Sequence, residues 1–120
     1  MDETGGLHEP PVAGVRTVDG AVVVSLVGEL DLYNAHVVRE RLAAATNDGG
    51  ERLVVDLSDV TFIDSTGLGV LVEARSRLAN RRAFVVVAPG VEARRALEIS
   101  GLDRHFAVRE TLEAALAADL

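Results

Sequence analysis

Residues 54–71 read VVDLSDVTFIDSTGLGVL. A β-branched, apolar run passes into a carboxylate (Asp64), two hydroxyls (Ser65 and Thr66) and a glycine (Gly67), and then directly into residues at helical spacing. A buried strand that feeds a helix in mid-chain is the unit from which α/β sheets are built. The junction also carries more polar chemistry than a turn needs. Ser65 is therefore either part of a good helix start or a hydroxyl presented for chemistry.

The flanking sequence repeats the strand–helix alternation. VAGVRTV (12–18) and AVVVSLVGEL (21–30) surround Asp19-Gly20, a dipeptide that favours a tight hairpin. From Asn34 to Thr46 the apolar residues Ala35, Val38, Leu42 and Ala45 recur at helical spacing, with Asn34 or Asp31 as a cap and NDGG (47–50) as the stop. RLVVDL (52–57) reads as a strand, and SDVTFID (58–64) carries the chain onward. The helix that follows places Gly67, Val70, Leu71, Ala74 and Leu78 on one face and Glu73, Arg75 and Arg77 mostly elsewhere. RRAFVVVA (81–88) is a short buried strand, VEARRALEISG (91–101) a helix stopped by Gly101, and HFAVR (105–109) a last strand. Thr111 caps a small C-terminal helix. The expected fold is α/β: a single domain over 12–120 with a mixed β-sheet of about four to five strands packed by about four α-helices. Residues 1–11, MDETGGLHEPP, read as a flexible N-terminal tail without the basic start and apolar stretch of a signal peptide.

Composition removes several classes of function. With 120 residues, 48% hydrophobic and only 3% aromatic, the core is built from Val, Leu, Ile and Ala. The formal net charge of −7 disfavours nucleic acid and anionic membrane surfaces as partners. All 12 basic residues are Arg, so a Walker-type phosphate loop, a Schiff-base lysine and a kinase-type ATP lysine are excluded on this chain. No Cys is present, which removes disulfides and thiolate chemistry. No apolar run approaches the roughly 20 residues of a membrane helix. A soluble, cytoplasmic protein is expected.

The remaining candidate sites are few. His8, His36 and His105 are far apart in unlike contexts, so no metal site is expected. DSTGLG is not the G-x-S-x-G elbow of the hydrolases, and nothing in the sequence sets a His beside Ser65. Gly67 and Gly69 lack the third glycine of a dinucleotide fingerprint, and tight helix packing explains them better. Asp31, Asp56 and Asp64 fall at or near strand ends, where an α/β sheet can make neighbours of Asp31 and Asp64. Two carboxylates without a third ligand make a poor metal site, and as helix-start residues both favour the positive end of the helix dipole. Ser65 keeps two readings. As a cap it contributes about 1 kcal/mol through a backbone N–H. As a phosphorylation acceptor it stands where backbone N–H groups can take up a phosphate's charge.

With GELD (28–31), VVDLSDVTFIDSTGLGVL (54–71) and SGL (100–102), the sequence resembles the STAS domain, and within it the bacterial anti-sigma factor antagonists. The resemblance runs from about Val12 to the C-terminus, and its core is D-S-[ST]-G-[LIV] at a strand-to-helix junction. It implies that Ser65 is the phosphorylation site and Asp31 the acidic loop residue. It also implies that Asp64 and Thr66 shape the Ser65 loop and that Gly67 permits close approach of the partner.

The function implied is partner switching, with no enzymatic activity and no cofactor on this chain. Unphosphorylated, such a protein binds an anti-sigma factor that is itself a serine kinase with a histidine-kinase-like ATPase fold, and so frees the sigma factor for transcription. Phosphorylation by that kinase with Mg-ATP breaks the complex, and a PP2C-type phosphatase resets it. A monomer is expected. The domain also occurs as a constitutive interaction module in stress-signalling and lipid-transport assemblies, and in that reading Ser65 is only a cap.

Overall fold

A computed structural model of the chain describes residues 10–47, 51–80 and 83–118. The sheet starts with a hairpin. Strands β1 (Val12–Val18) and β2 (Ala21–Leu30) pair antiparallel, with Val18 opposite Ala21. Asp19 and Gly20 both take positive φ, 51° and 83°, the backbone that a two-residue hairpin turn matched to strand twist demands. β2 then pairs parallel with β3 (Arg52–Ile63), β3 with β4 (Phe84–Val87) and β4 with β5 (Ala107–Arg109), giving the spatial order β1-β2-β3-β4-β5.

Each parallel step is made by a helix: α1 (Ala35–Thr46), α2 (Ser65–Ser76) and α3 (Val91–Ser100). Right-handed crossovers that always advance in one direction set successive helices on one face of the sheet. The main core agrees. Val38 and Leu42 of α1, Leu71 of α2 and Leu97 of α3 pack in one cluster with Val24 and Val55. The alternate strand residues Val23, Val54, Val85 and Val87 face the other side, where α4 (Leu112–Ala117) covers them with Ala115. The continuous Val-rich runs follow from this, because the central strands are covered on both faces.

Among the described residues, the five-stranded mixed sheet with four α-helices matches the expected fold class. Gly101 takes φ 79° at the end of α3, and the Thr111 hydroxyl accepts the Ala114 N–H at 3.0 Å, as the stop and cap signals require. Several boundaries differ from the sequence reading; β4 is confined to Phe84–Val87 and β5 starts at Ala107 rather than His105. β3 runs unbroken to Ile63 rather than changing character at Leu57, because shifts in register between Ser25 and Val27 and between Gly28 and Glu29 keep it paired with β2. α2 stops at Ser76, although Leu78 still packs on the core. Pro11, assigned to the tail, is buried, and its carbonyl accepts the Val27 N–H at 2.9 Å. The rest of that tail up to residue 9, part of the NDGG stop and Arg81-Arg82 lie outside the described residues.

On the solvent side, Glu73 of α2 ties the two helices together. It accepts from Arg39 of α1 at 3.1 Å and from Arg77 at 2.8 Å. The hydrogen bond from Arg39, ahead of that from Arg77, holds the Glu73 carboxyl below its ordinary range. All three groups are solvated, so the network adds little to stability.

The two glycines of α2 have unlike surroundings. A Cβ on Gly67 would lie 2.9 Å from Ile63 Cγ1 and 3.0 Å from both the Cβ and the carbonyl oxygen of Leu30. Around Gly69 nothing lies within 4 Å, so tight packing against the sheet accounts for Gly67 and not for Gly69. Substitution should separate them. Gly67→Ala is expected to lower unfolding free energy by about 1–3 kcal/mol through overpacking. Gly69→Ala is expected to raise it by about 0.5–1 kcal/mol through helix propensity. Urea denaturation measures both, and a Gly67→Ala protein as stable as the parent would contradict the packing.

Candidate functional site

The parallel pairing of β2 with β3 ends at Leu30 and Ile63, and the next N–H, that of Asp64, donates to the Leu30 carbonyl at 3.1 Å. Asp31 and Asp64 are therefore side by side at the carboxyl edge of the sheet. This is the edge where α/β folds gather functional groups, because every loop that leaves a parallel strand starts there.

Each carboxylate has a defined task. Asp64 has extended backbone (φ −98°, ψ −176°) and is the N-cap of α2, its Oδ1 accepting the Gly67 N–H at 3.0 Å. Ser65 is then the first residue of the helix, exposed, and its hydroxyl makes no hydrogen bond among the described residues. This corrects the reading of Ser65 as the cap: the capping oxygen belongs to its neighbour. Thr66 is half-buried and Gly67 is buried. Within the chain, the close approach that Gly67 permits is to Leu30 and Ile63.

Asp31 fixes a turn. Its Oδ1 accepts the N–H groups of Tyr33 at 3.0 Å and Asn34 at 3.3 Å. Asn34 answers with its Oδ1, which accepts the Asp31 N–H at 3.0 Å, and with its Nδ2, which donates to the Glu29 carbonyl at 2.6 Å. Neither side chain caps α1, contrary to the expectation from sequence, because both are committed within the turn. Asp56, expected near a strand end, lies within β3, because that strand continues to Ile63, and it accepts from the N–H and hydroxyl of Ser58.

Among the described residues, Asp31 and Asp64 have no ion-pair partner, and no cluster of His, Asp and Glu is placed to hold a metal. His36 and His105 are exposed, and neither hydrogen-bonds to Ser65. The site thus presents an accessible hydroxyl at the positive end of a helix, flanked by two carboxylates. No side chain of the described residues hydrogen-bonds to that hydroxyl.

Four neighbours of this edge escaped the sequence reading in whole or part. Leu32 (68% exposed), Tyr33 (85%) and Phe62 (48%) project into solvent beside it. Asn34, read only as a cap, holds the turn instead. A signal was available: the chain has one Tyr and three Phe, so each aromatic residue in a loop or at a strand end carries information.

A sequence profile of the STAS domain matches residues 13–115. The chain belongs to the STAS domain family. RsfB of Mycobacterium tuberculosis, an anti-sigma-F factor antagonist, is 37% identical over 98 residues, which cover 82% of this chain and 80% of RsfB. The crystal structure of an anti-sigma factor antagonist from Mycobacterium paratuberculosis superposes with a TM-score of 0.81 at 38% identity, over 86% of this chain and 88% of that one. The phosphorylated form of SpoIIAA from Bacillus shares the STAS fold, with a TM-score of 0.62 at 22% identity over 87% of this chain and 96% of that one.

The division of labour between Asp64 and Ser65 is testable on the folded domain alone. Asp64→Ala should cost about 0.5–2 kcal/mol through loss of the cap. Ser65→Ala should change stability by no more than about 0.5 kcal/mol. Chemical denaturation of the two variants checks this, and the reverse order would return the capping role to Ser65.

Proposed function

We propose that this STAS protein is an anti-sigma factor antagonist whose grip on its partner is switched by phosphorylation of Ser65. One observation carries the proposal. The Ser65 hydroxyl is exposed and makes no hydrogen bond among the described residues, while the helix start that would otherwise occupy it is capped by Asp64. Relatives that match over four-fifths of the chain are anti-sigma factor antagonists, which supports the same reading.

The partner is an anti-sigma factor with serine-kinase activity and a histidine-kinase-like ATPase fold. The kinase supplies Mg-ATP and the base. The Ser65 oxygen attacks the γ-phosphorus, its proton passes to the kinase, and the bond to the bridging oxygen breaks to release ADP. A PP2C-type phosphatase reverses the state by hydrolysis, water taking up the phosphoryl group. Ser65 is the acceptor rather than Thr66, since Thr66 is half-buried on the same turn. No catalytic group is required of this chain.

Electrostatics supply the switch. A phosphoserine adds about −1.5 to −2 charges at neutral pH. The helix dipole returns only about 0.3–2 kcal/mol of favourable interaction, enough to let the folded domain tolerate the group. Asp31 and Asp64 stand beside it, and no cation among the described residues is ion-paired to them, so its field reaches the partner without an internal counter-charge. A partner carboxylate ~5 Å away is repelled by about 3 kcal/mol per unit pair at an effective dielectric of ~20. That corresponds to about a hundredfold in affinity.

Paired baits of Ser65→Ala and Ser65→Glu protein, offered to lysate of the source cell, test the switch. The Ala bait is expected to hold a small ATPase-fold kinase that the Glu bait loses. Retention of the same partners by both would mean a constitutive interaction module.

A further inference from the structure

The four aromatic residues of the chain fall into two pairs. Phe84 and Phe106 are buried edge to face, with ring centroids 5.1 Å apart. Tyr33 and Phe62 are exposed, and both lie at the Ser65 edge together with Leu32. Phe62 precedes Ser65 on β3 and stands in register with Glu29 of β2. The Glu29 carbonyl holds Asn34 Nδ2, and Asn34 closes the turn that displays Leu32 and Tyr33. The backbone at Phe62 is thus linked, through its pairing with Glu29 and the Asn34 hydrogen bond, to the turn that displays Leu32 and Tyr33.

Their backbone is held in place. Four hydrogen bonds, two accepted by Asp31 Oδ1, one accepted by Asn34 Oδ1 and one donated by Asn34 Nδ2, fix the turn to itself and to β2. Asn34 is the N-cap residue of α1, yet its side chain makes no capping bond. Such a bond is worth about 1 kcal/mol, so the arrangement favours the turn over the helix it introduces. Tyr is among the residue types enriched at interface hot spots, and a preorganised turn lowers the cost of ordering on binding. Around them stand Glu29, Asp31 and Asp64, none ion-paired among the described residues. A second copy of a chain of net charge −7 would bring the same carboxylates to the contact. The complementary surface is an apolar pocket rimmed by Arg or Lys.

We infer that Leu32, Tyr33 and Phe62 form the anchor by which the unphosphorylated protein holds its anti-sigma kinase, seated in an apolar pocket of the kinase with a basic rim. This rests on the function proposed above and adds the place where the affinity resides. Phosphorylation of Ser65 then acts beside the anchor: it leaves the apolar contact intact and sets charge against the kinase at its border.

The test uses the full-length Ser65→Ala protein as parent and, as probe, the purified kinase that this protein retains. Tyr33→Ala and Phe62→Ala are each introduced into the parent, with Ile99→Ala as a control on α3, where Ile99 is 80% exposed. By isothermal titration, Tyr33→Ala and Phe62→Ala are each expected to weaken Kd by about tenfold or more, the loss typical of an interface hot spot. Ile99→Ala should leave it unchanged, and all melting curves should coincide with the parent's within a few degrees. Phe62→Leu keeps apolar bulk and retains part of the affinity should Phe62→Ala disturb the fold. Unchanged Kd for Tyr33→Ala and Phe62→Ala overturns the anchor and leaves the phosphorylation switch standing. Failure of the Ser65→Ala protein to retain any kinase overturns the proposed function and the anchor with it.

Discussion

Everything at the functional edge depends on how closely the first turn of α2 sits on the paired ends of β2 and β3. The contact is possible only because Gly67 has no side chain: a Cβ there would stand 2.9 Å from Ile63 and 3.0 Å from the Leu30 carbonyl oxygen. That same carbonyl receives the Asp64 N–H, so a single backbone oxygen meets both the end of β3 and the start of α2. With α2 seated, Asp64 is placed to cap Gly67, and Ser65 is carried to the surface with its hydroxyl unengaged among the described residues. Asp31, one residue beyond Leu30, comes to lie next to Asp64 by register alone.

This arrangement separates what keeps the domain folded from what it offers to a partner. The fold rests on an apolar core covered on both faces of the sheet, with no buried charged or polar side chain among the described residues. The functional edge rests on short-range hydrogen bonds made by Asp31, Asn34 and Asp64. A charge added at Ser65 therefore falls on solvent, and in the proposed complex on the partner, not on the core. A phosphate at the start of a helix meets favourable N–H groups within its own domain, while the neighbouring carboxylates keep the surrounding potential negative. In the proposed switch the same modification is thus mild for stability and severe for the interface.

Much of this was readable from the sequence, for identifiable reasons. Val-rich runs separated by helical periodicity give the sheet and its crossovers, since strands covered on both faces are apolar throughout. Asp19-Gly20, Gly101 and Thr111 act locally, and the structure places them as the sequence reading does. The neighbourhood of Asp31 and Asp64 followed from strand ends sharing an edge. What could not be read was the choice among adjacent hydrogen-bonding partners. Asp64 and Ser65 are both good caps by type, and only the backbone geometry selects Asp64. Asn34 and Asp31 both suit a helix start, yet their side chains bond to each other's backbone and to Glu29. The continuity of β3 past Leu57 depends on register shifts that no local pattern announces. The exposure of Tyr33 and Phe62 depends on which face each residue takes once the register is set.

The most direct measurement is phosphate mapping after the purified protein is incubated with Mg-ATP and the kinase that the Ser65→Ala protein retains. The only basic residues bounding this stretch are Arg52 and Arg75, so trypsin releases residues 53–75 as one peptide that carries Ser58, Thr61, Ser65 and Thr66. Fragmentation of that peptide is expected to place a single phosphate on Ser65, with the other three hydroxyls bare and the kinase released as the phosphate appears. A phosphate on Thr66 or Ser58, or stoichiometric phosphate on Ser65 with the complex still intact, would contradict the switch.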